Sequence, residues 1–191
     1  MLAAPTRACA DPRAAARPPS GAGGAAGSLP LPLLLLGILA TAALLFYWPV
    51  LVGPPLGKAW FWEDFTEQNY PYRFYQATHM REGTFPLWNP YIFGGLPFAA
   101  DIQSGAFYPP NWLAALFVQD GVLAPEAAEA IQILHVVVGG LFAGLFARVL
   151  FGGRAGPAFS GVAFAFCAFM VVRMKHGNIL ETVAWIPGIL L

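Results

Sequence analysis

The chain has 191 residues, of which 58% are apolar and only 10% are charged, whereas soluble domains carry about 25% charged residues. Ten basic residues balance ten acidic ones, and the formal net charge of zero argues against a nucleic-acid partner. The two cysteines, Cys9 in a polar tail and Cys167 in an apolar run, exclude a disulfide framework and a CxxC metal pair. The composition therefore indicates a membrane protein.

The first element in chain order is a polar tail, residues 1–29, which is rich in Ala, Pro, Gly and Ser. It cannot bury enough apolar surface to fold, so we predict a disordered tail. The apolar run "LPLPLLLLGILATAALLFYWPVLVG" follows and predicts a span at about 30–52, because a helix needs about 20 apolar residues to cross a bilayer. The run is too long for a signal peptide, and no clear A-x-A cleavage site follows it.

Three further apolar runs predict spans at about 127–151, 157–174 and 179–191, the last of them cut off. Because "AWIPGILL" stops in mid-run, we expect residues 30–191 to be the amino-terminal part of a larger transmembrane domain. His135, inside the second span, is either functional or, as we favour, a hydrogen-bond partner of a neighbouring helix. Small residues in the same span predict a close helix–helix contact face: Gly139, Gly140, Ala143, Gly144 and Ala147.

Basic residues predict the orientation of these spans, because cytoplasmic segments are enriched in Lys and Arg. Three arginines lie in the tail, and two more lie at the turn after the second span. Both segments are therefore predicted to be cytoplasmic, and the protein to be a multi-pass protein of the cell inner (plasma) membrane with a cytoplasmic amino terminus. The basic stretch "RMKHGN" falls on the exterior side and breaks this rule; it would be cytoplasmic if residues 157–172 were re-entrant.

The segment 53–126 is then a long exterior loop, far longer than the few residues that usually join neighbouring helices. "YPYRFYQATHMREG" predicts a short helix after Pro71 that ends near Gly83, and "PNWLAALF" predicts a second helix starting near Pro110. Their aromatic residues suit amphipathic helices that lie in the membrane interface. The Pro, Gly and Asn residues of "FPLWNPYIFGG" would fold the backbone back between them.

Two stretches carry a family resemblance: "YPYRFYQATHMREGTFPLWNPYIFGGLPFAADIQSGAFYPPNWL", which follows a carboxylate soon after the first span, and "HGNILETVAWIP". Both resemble the YfhO-type bacterial membrane proteins, which are assigned to the GT-C superfamily of glycosyltransferases. The resemblance covers about residues 30–191. It implies an all-α, polytopic, GT-C-like membrane domain with a long exterior first loop. It also implies transfer of a sugar from a polyprenyl-phosphate-linked donor, which is anchored in the lipid bilayer, to an exterior cell-envelope acceptor.

Such a transfer needs a base, donors for the leaving phosphate and a site at the membrane surface. The resemblance assigns the base to Asp64, with Glu63 as the adjacent alternative; otherwise the pair is a solvated acidic turn. Asp101 could be a second catalytic carboxylate, a metal ligand, a sugar ligand or a turn cap. Asn89 and Gln103 could bind sugar hydroxyls or, as we favour, satisfy the loop backbone.

The basic stretch supplies the candidate phosphate ligands, and the alternative is ordinary snorkelling at a helix end. Its four residues are Arg173, Lys175, His176 and Asn178. The sequence establishes no cofactor; the two loop acids would allow a divalent metal, although no ligand spacing is diagnostic. One rival function is a transporter or flippase of a lipid-linked molecule, which predicts charged or broken helices in mid-membrane. The other is a non-enzymatic envelope assembly factor, in which the loop carboxylates would be dispensable.

Overall fold

The structure, a computed structural model, describes residues 29–51, 61 and 63–191. The predicted disordered tail, apart from its last residue, and the start of the predicted loop therefore lie outside the described residues. The α-helices of the described part are α1 (Leu31–Leu51), α2 (Tyr70–Arg81), α3 (Pro109–Trp112), α4 (Pro125–Phe151), α5 (Ala155–Ala165), α6 (Ala168–Val172) and α7 (Gly177–Ile189).

Three helical segments in the described part are long and apolar enough to cross a membrane: α1, α4 and the run Ala155–Lys175. The last of these contains 21 residues, which at about 1.5 Å per residue reach across a hydrocarbon core of about 30 Å. The prediction of a mostly helical protein with helices long and apolar enough to span a membrane is thereby confirmed. The GT-C arrangement and the exterior placement of the loop stay predictions.

The third of these segments is interrupted near its middle. α5 ends at Ala165, Phe166 leaves the helical region, and Cys167 is extended, with φ −64° and ψ 155°, before α6 begins. The 3-10 turn Arg173–Lys175 then completes the run. The sequence predicted one continuous span at 157–174. The structure has two helices there instead, because the extended backbone at Cys167 interrupts the helical hydrogen bonds between α5 and α6.

Glycines bring the helices into close contact around the middle of α4. A Cβ added at Gly140 would lie 2.8 Å from Leu39 Cδ2 of α1 and 2.9 Å from the Gly161 oxygen of α5. One added at Gly139 would lie 3.1 Å from the Ala184 Cα of α7. The predicted contact face of small residues is therefore confirmed, and it serves three neighbouring helices at once.

α7 starts slightly earlier than the predicted fourth span and has 13 helical residues, fewer than the about 20 that a full crossing requires. Its first residue, Gly177, is buried, and a Cβ there would lie 2.7 Å from Gln132 Nε2 of α4. α7 therefore begins in tight contact with α4.

The segment between α1 and α4 folds as a cap, defined here as residues 63–124. α2 matches its prediction, and Gly83, at φ +77°, stands just past its end. α2 packs on α3 and on the 3-10 helix Leu113–Phe117. The predicted second helix is thus part α-helix and part 3-10 helix. The two-residue strands β1 (Val118–Gln119) and β2 (Val122–Leu123) pair antiparallel beyond it.

The cap has its own apolar contacts, and they continue into the first turns of α4. Phe65, Ala77, Ala114 and Leu123 of the cap are buried together with Ile131 of α4. One face of α2 is therefore buried against protein, whereas the sequence alone predicted a helix that lies flat in the membrane interface.

The two ends of the helices carry different contacts. At one end the Arg154 guanidinium donates a hydrogen bond to the Leu29 oxygen, at the start of α1. At the other end Lys175 contacts Glu63 of the cap. The cap and the basic stretch before α7 therefore share one end, opposite the turn between α4 and α5. Which of the two ends is exterior stays a prediction.

Candidate functional site

The acids at the start of the cap meet the basic residues that precede α7. His176 Nε2 lies 2.7 Å from Asp64 Oδ2, and Lys175 Nζ forms an ion pair with the Glu63 carboxylate. Asn69 joins the two segments, because its Nδ2 donates to the Asp64 oxygen at 3.1 Å and to the Lys175 oxygen at 2.7 Å. The structure thus brings together four predicted site residues from two segments that lie more than a hundred positions apart in sequence.

Local backbone geometry presents these side chains. Asp64 directly precedes the π-helix Phe65–Asn69, whose first residue is buried in the cap. Glu63 takes a left-handed conformation, with φ +56°, which costs a residue with a side chain about 1–2 kcal/mol. On the opposite segment His176 leaves the helical region, with φ −112° and ψ 80°, before α7 begins. The two acids therefore lie at the start of the π-helix, and Lys175 and His176 directly precede α7.

The Lys175–Glu63 ion pair and the His176–Asp64 contact differ in how far their side chains are exposed to solvent. The hydrogen bond and charge of Lys175 lower the pKa of the exposed Glu63 carboxyl. His176 Nδ1 is buried without a hydrogen-bond partner among the described residues. A buried N–H without an acceptor is costly, so the geometry favours a proton on Nε2, which then donates to Asp64. Asp64 accordingly presents a hydrogen-bonded carboxylate.

The other two residues of the predicted phosphate-binding set flank Lys175 and His176 in sequence. The Arg173 guanidinium stands over the Phe169 ring, 5.8 Å from its centre, in a cation–π contact. Asn178 Oδ1 accepts from its neighbour Ile179 N at 3.0 Å, which places its side chain at the start of α7.

Asp101 occupies a helix cap. Its Oδ1 accepts from Gln103 N at 2.9 Å, and its Oδ2 accepts from the Tyr72 hydroxyl at 3.1 Å. Burial, aided by the Asp101 carboxylate, raises the pKa of Tyr72. Of the alternatives open for Asp101, the turn cap matches this geometry. Gln103 is exposed on the short 3-10 helix Ile102–Ser104 that follows.

Asn89 lies in a tight reversal of the cap. It is buried, its Oδ1 accepts from Tyr91 N at 2.9 Å, and its backbone exchanges two 2.8 Å hydrogen bonds with Leu96. The side chain thus serves the loop backbone, the favoured alternative at sequence level. The structure does not bring Asn89 to the Asp64–His176 cluster through any hydrogen bond of the described residues, and its role as a sugar ligand stays a prediction.

A buried ion pair between the cap and α7 was missed by the sequence reasoning. Arg73 Nη2 lies 3.1 Å from Glu181 Oε1, and both residues are less than 10% exposed. Asn111 Nδ2 donates to Glu181 Oε2 at 3.3 Å, and Arg73 Nη1 donates to Gln76 Oε1 at 3.3 Å. Burial lowers the pKa of Arg73, and the charge of Glu181 counters part of that effect. The available signal was Glu181 itself, the lone acid in the apolar stretch "NILETVAWIP".

Tyr108 of the cap lies between α4 and α7 and bonds to both. His135 Nδ1 lies 2.7 Å from the Ile131 oxygen, so Nδ1 carries a proton, and Nε2 is left to pair with the Tyr108 hydroxyl at 2.7 Å. Trp185 Nε1 of α7 donates to the same hydroxyl oxygen. The expectation that His135 bonds a neighbouring helix is wrong in its partner, because the His135 Nε2 atom pairs with Tyr108 of the cap.

The described residues contain no group of three or more His, Cys, Asp or Glu side chains placed to hold a metal ion. No protein-family model, curated protein or solved structure matches the chain. Any assignment of function therefore rests on the two polar clusters, Asp64–His176 with its neighbours and Arg73–Glu181 with Tyr108.

Proposed function

We propose that the chain is part of a membrane glycosyltransferase that moves a sugar from a polyprenyl-phosphate-linked donor to a cell-envelope acceptor. The observation that supports this most directly is the contact of Asp64 with His176, beside Lys175 and Arg173, at one end of the helices. A carboxylate next to a group of cations is what base-assisted displacement of a phosphate requires. Position at a helix end suits a donor that is anchored in the bilayer.

In the proposed reaction Asp64 accepts the proton of an acceptor hydroxyl. The hydroxyl oxygen then forms a bond to the anomeric carbon of the donor sugar, while the bond from that carbon to the phosphate oxygen breaks. The electron pair leaves with the polyprenyl phosphate. Lys175 and Arg173 stabilise the negative charge that develops there, as a point charge and as a planar donor group respectively.

The ion pair of Lys175 with Glu63 gives this proposal a specific requirement. A bound phosphate must take Lys175 over from Glu63, so Glu63 competes with the donor for the same ammonium group. Glu63 is exposed and its pair is screened by water, which makes the exchange inexpensive. Glu63→Gln is therefore expected to lower KM for the donor. Because this variant keeps Asp64 as the base, kcat should stay within about twofold of the wild-type value.

The experiment uses the full-length gene product in membranes supplied with polyprenyl-phosphate sugars. Asp64→Asn removes the base and keeps the size and most hydrogen bonds of the side chain. We expect sugar transfer to fall by about a hundredfold or more. Asp101→Asn is the matched control, because the cap geometry of Asp101 predicts a nearly normal rate. Equal, full transfer by both inserted variants would refute Asp64 as the base, and no transfer by the inserted wild type would refute the enzyme assignment and favour an assembly factor.

A second candidate, a transporter or flippase of a lipid-linked molecule, gains support from two features. The third candidate span is broken at Cys167, and the Arg73–Glu181 pair buries charge against α7. Broken helices and buried ionisable residues are typical of transport sites. Reconstituted protein that moves a labelled polyprenyl-phosphate sugar across vesicles, without transferring its sugar, would favour this candidate over the enzyme.

A further inference from the structure

A small cleft separates the cap from α7, apart from the Asp64–His176 cluster. Its volume is about 180 Å³, below the range of about 300–1,000 Å³ that holds a drug-sized ligand, so it suits a small group or one ring of a larger one. The residues that line it are Ile102, Gly105, Tyr108, Asn178, Glu181 and Thr182. Asn178 is the one residue among them that the sequence had predicted to bind substrate.

The polar wall of this cleft is built on Glu181. The residue is 5% exposed, and Arg73 and Asn111 hold its two carboxylate oxygens from the cap side. Gly105 stands opposite, at φ +57°; a Cβ there would lie 2.7 Å from Asn111 Nδ2 and 3.9 Å from Glu181 Oε2. Glycine at this position therefore keeps the approach to the carboxylate open.

The charge of the cleft selects the ligand class. Arg73 neutralises Glu181, so a cation gains little there, whereas the carboxylate oxygens keep lone pairs free for further hydrogen bonds. Thr182 Oγ1 donates to the Asn178 oxygen and retains acceptor capacity of its own. The Tyr108 ring supplies an apolar side. Several acceptors, a ring face and no net charge match a neutral group that carries several hydroxyls.

We infer that this cleft binds one neutral sugar ring, with Glu181 and Thr182 accepting hydrogen bonds from its hydroxyls and the Tyr108 ring packing on its face. The inference rests on the proposed function and adds a subsite to it. A second cleft of about 440 Å³ shares Ile102, Gly105 and Tyr108 with the first, so a longer saccharide has room to extend beyond the first cleft.

Trp185 provides a signal for binding, because its indole donates to the Tyr108 hydroxyl. The full-length protein is titrated in detergent micelles with D-glucose, D-galactose, N-acetylglucosamine and myo-inositol. The fluorescence of a Trp185→Phe variant is subtracted, which isolates the change at Trp185. We expect at least one of these polyols to give a saturable change and choline, a small cation with one hydroxyl, to give none. A response to choline alone, or to no polyol, would overturn the inference.

Thr182→Val tests the contact without disturbing the Arg73–Glu181 pair. Loss of one hydrogen bond is expected to raise Kd for the sugar about threefold to tenfold. Thr84→Val is the matched control: Thr84 is exposed in the cap and also donates its hydroxyl to a backbone oxygen, that of His79, but it lies outside the cleft. Equal Kd values for the Thr182→Val and Thr84→Val variants would rule the subsite out.

The transfer assay separates the two proposals. If sugars bind and the protein transfers none, the proposed enzyme fails while the sugar site stands. If transfer occurs and Thr182→Val leaves KM unchanged for both substrates, the subsite fails while the enzyme stands. A raised KM for the acceptor alone, or for the donor alone, identifies which substrate carries the bound ring.

Discussion

Removal of either charge from the buried Arg73–Glu181 pair should destabilise the protein strongly. The two side chains are only 10% and 7% exposed and lie 3.1 Å apart. Deleting one partner of such a pair leaves the other charge buried and uncompensated, which costs about 3–5 kcal/mol. Glu181→Gln keeps an acceptor for Asn111, so we expect the lower end, about 3 kcal/mol. Arg73→Met leaves the carboxylate with Asn111 alone, so we expect a similar or larger loss.

The assay is denaturant unfolding of the full-length protein in micelles, followed by tryptophan fluorescence. Arg81→Met is the control, since Arg81 lies on the same helix but is exposed, and its loss should change stability by less than about 0.5 kcal/mol. The double variant Arg73→Met/Glu181→Gln removes both charges and should cost at least about 2 kcal/mol less than the sum of the single variants. Additive losses, or equal losses for Arg73→Met and Arg81→Met, would refute this account of the pair.

Three further changes test other parts of the structure. Gly140→Ala should destabilise the protein by about 1–3 kcal/mol in thermal unfolding, because the new methyl group would lie under 3 Å from Leu39 and from the backbone of α5. Gly156→Ala, whose methyl group would have nothing within 4 Å, should be neutral or stabilising in the same assay. Glu63 has a folded pKa below its usual 4.5, so its pairing stabilises the protein above that pH and the benefit disappears as pH falls through the folded value. Glu63→Gln should therefore flatten the acid limb of a stability-against-pH curve, and an unchanged limb would contradict the ion pair. Asp101→Ala should cost about 1 kcal/mol in the same unfolding assay through loss of its cap, and Asp101→Asn clearly less; equal losses would argue against capping.

The helices were predictable because their signals are local. A run of about 20 apolar residues is enough to predict a spanning helix, and Pro71 followed by Gly83 at the right distance predicted α2. The contact face around Gly140 was equally visible, since small residues at helical spacing have few other uses in an apolar helix. The break at Cys167 was not visible, because no Pro or Gly interrupts "FAFCAFMVV".

Several residues of the site were predictable, but the contacts between them were not. Composition and resemblance picked out Asp64, Lys175 and His176 separately, yet nothing in a single sequence says which acid faces which base. The Arg73–Glu181 pair escaped altogether, because each residue alone resembles an ordinary interfacial charge. Only the position of the cap next to α7 makes the two charges neighbours, and that is a property of the whole fold.

The Arg73–Glu181 contact also sets an order of events during biosynthesis. The two residues are separated by 108 positions, so Arg73 leaves the ribosome well before its partner exists. At roughly 5–20 residues per second, about 5–20 s pass before Glu181 is made. Until then Arg73 has no counter-charge on α7 and this contact cannot form, whereas the cap can already pack on the first turns of α4. The contact between the cap and α7 is therefore completed only after most of the described chain has been made.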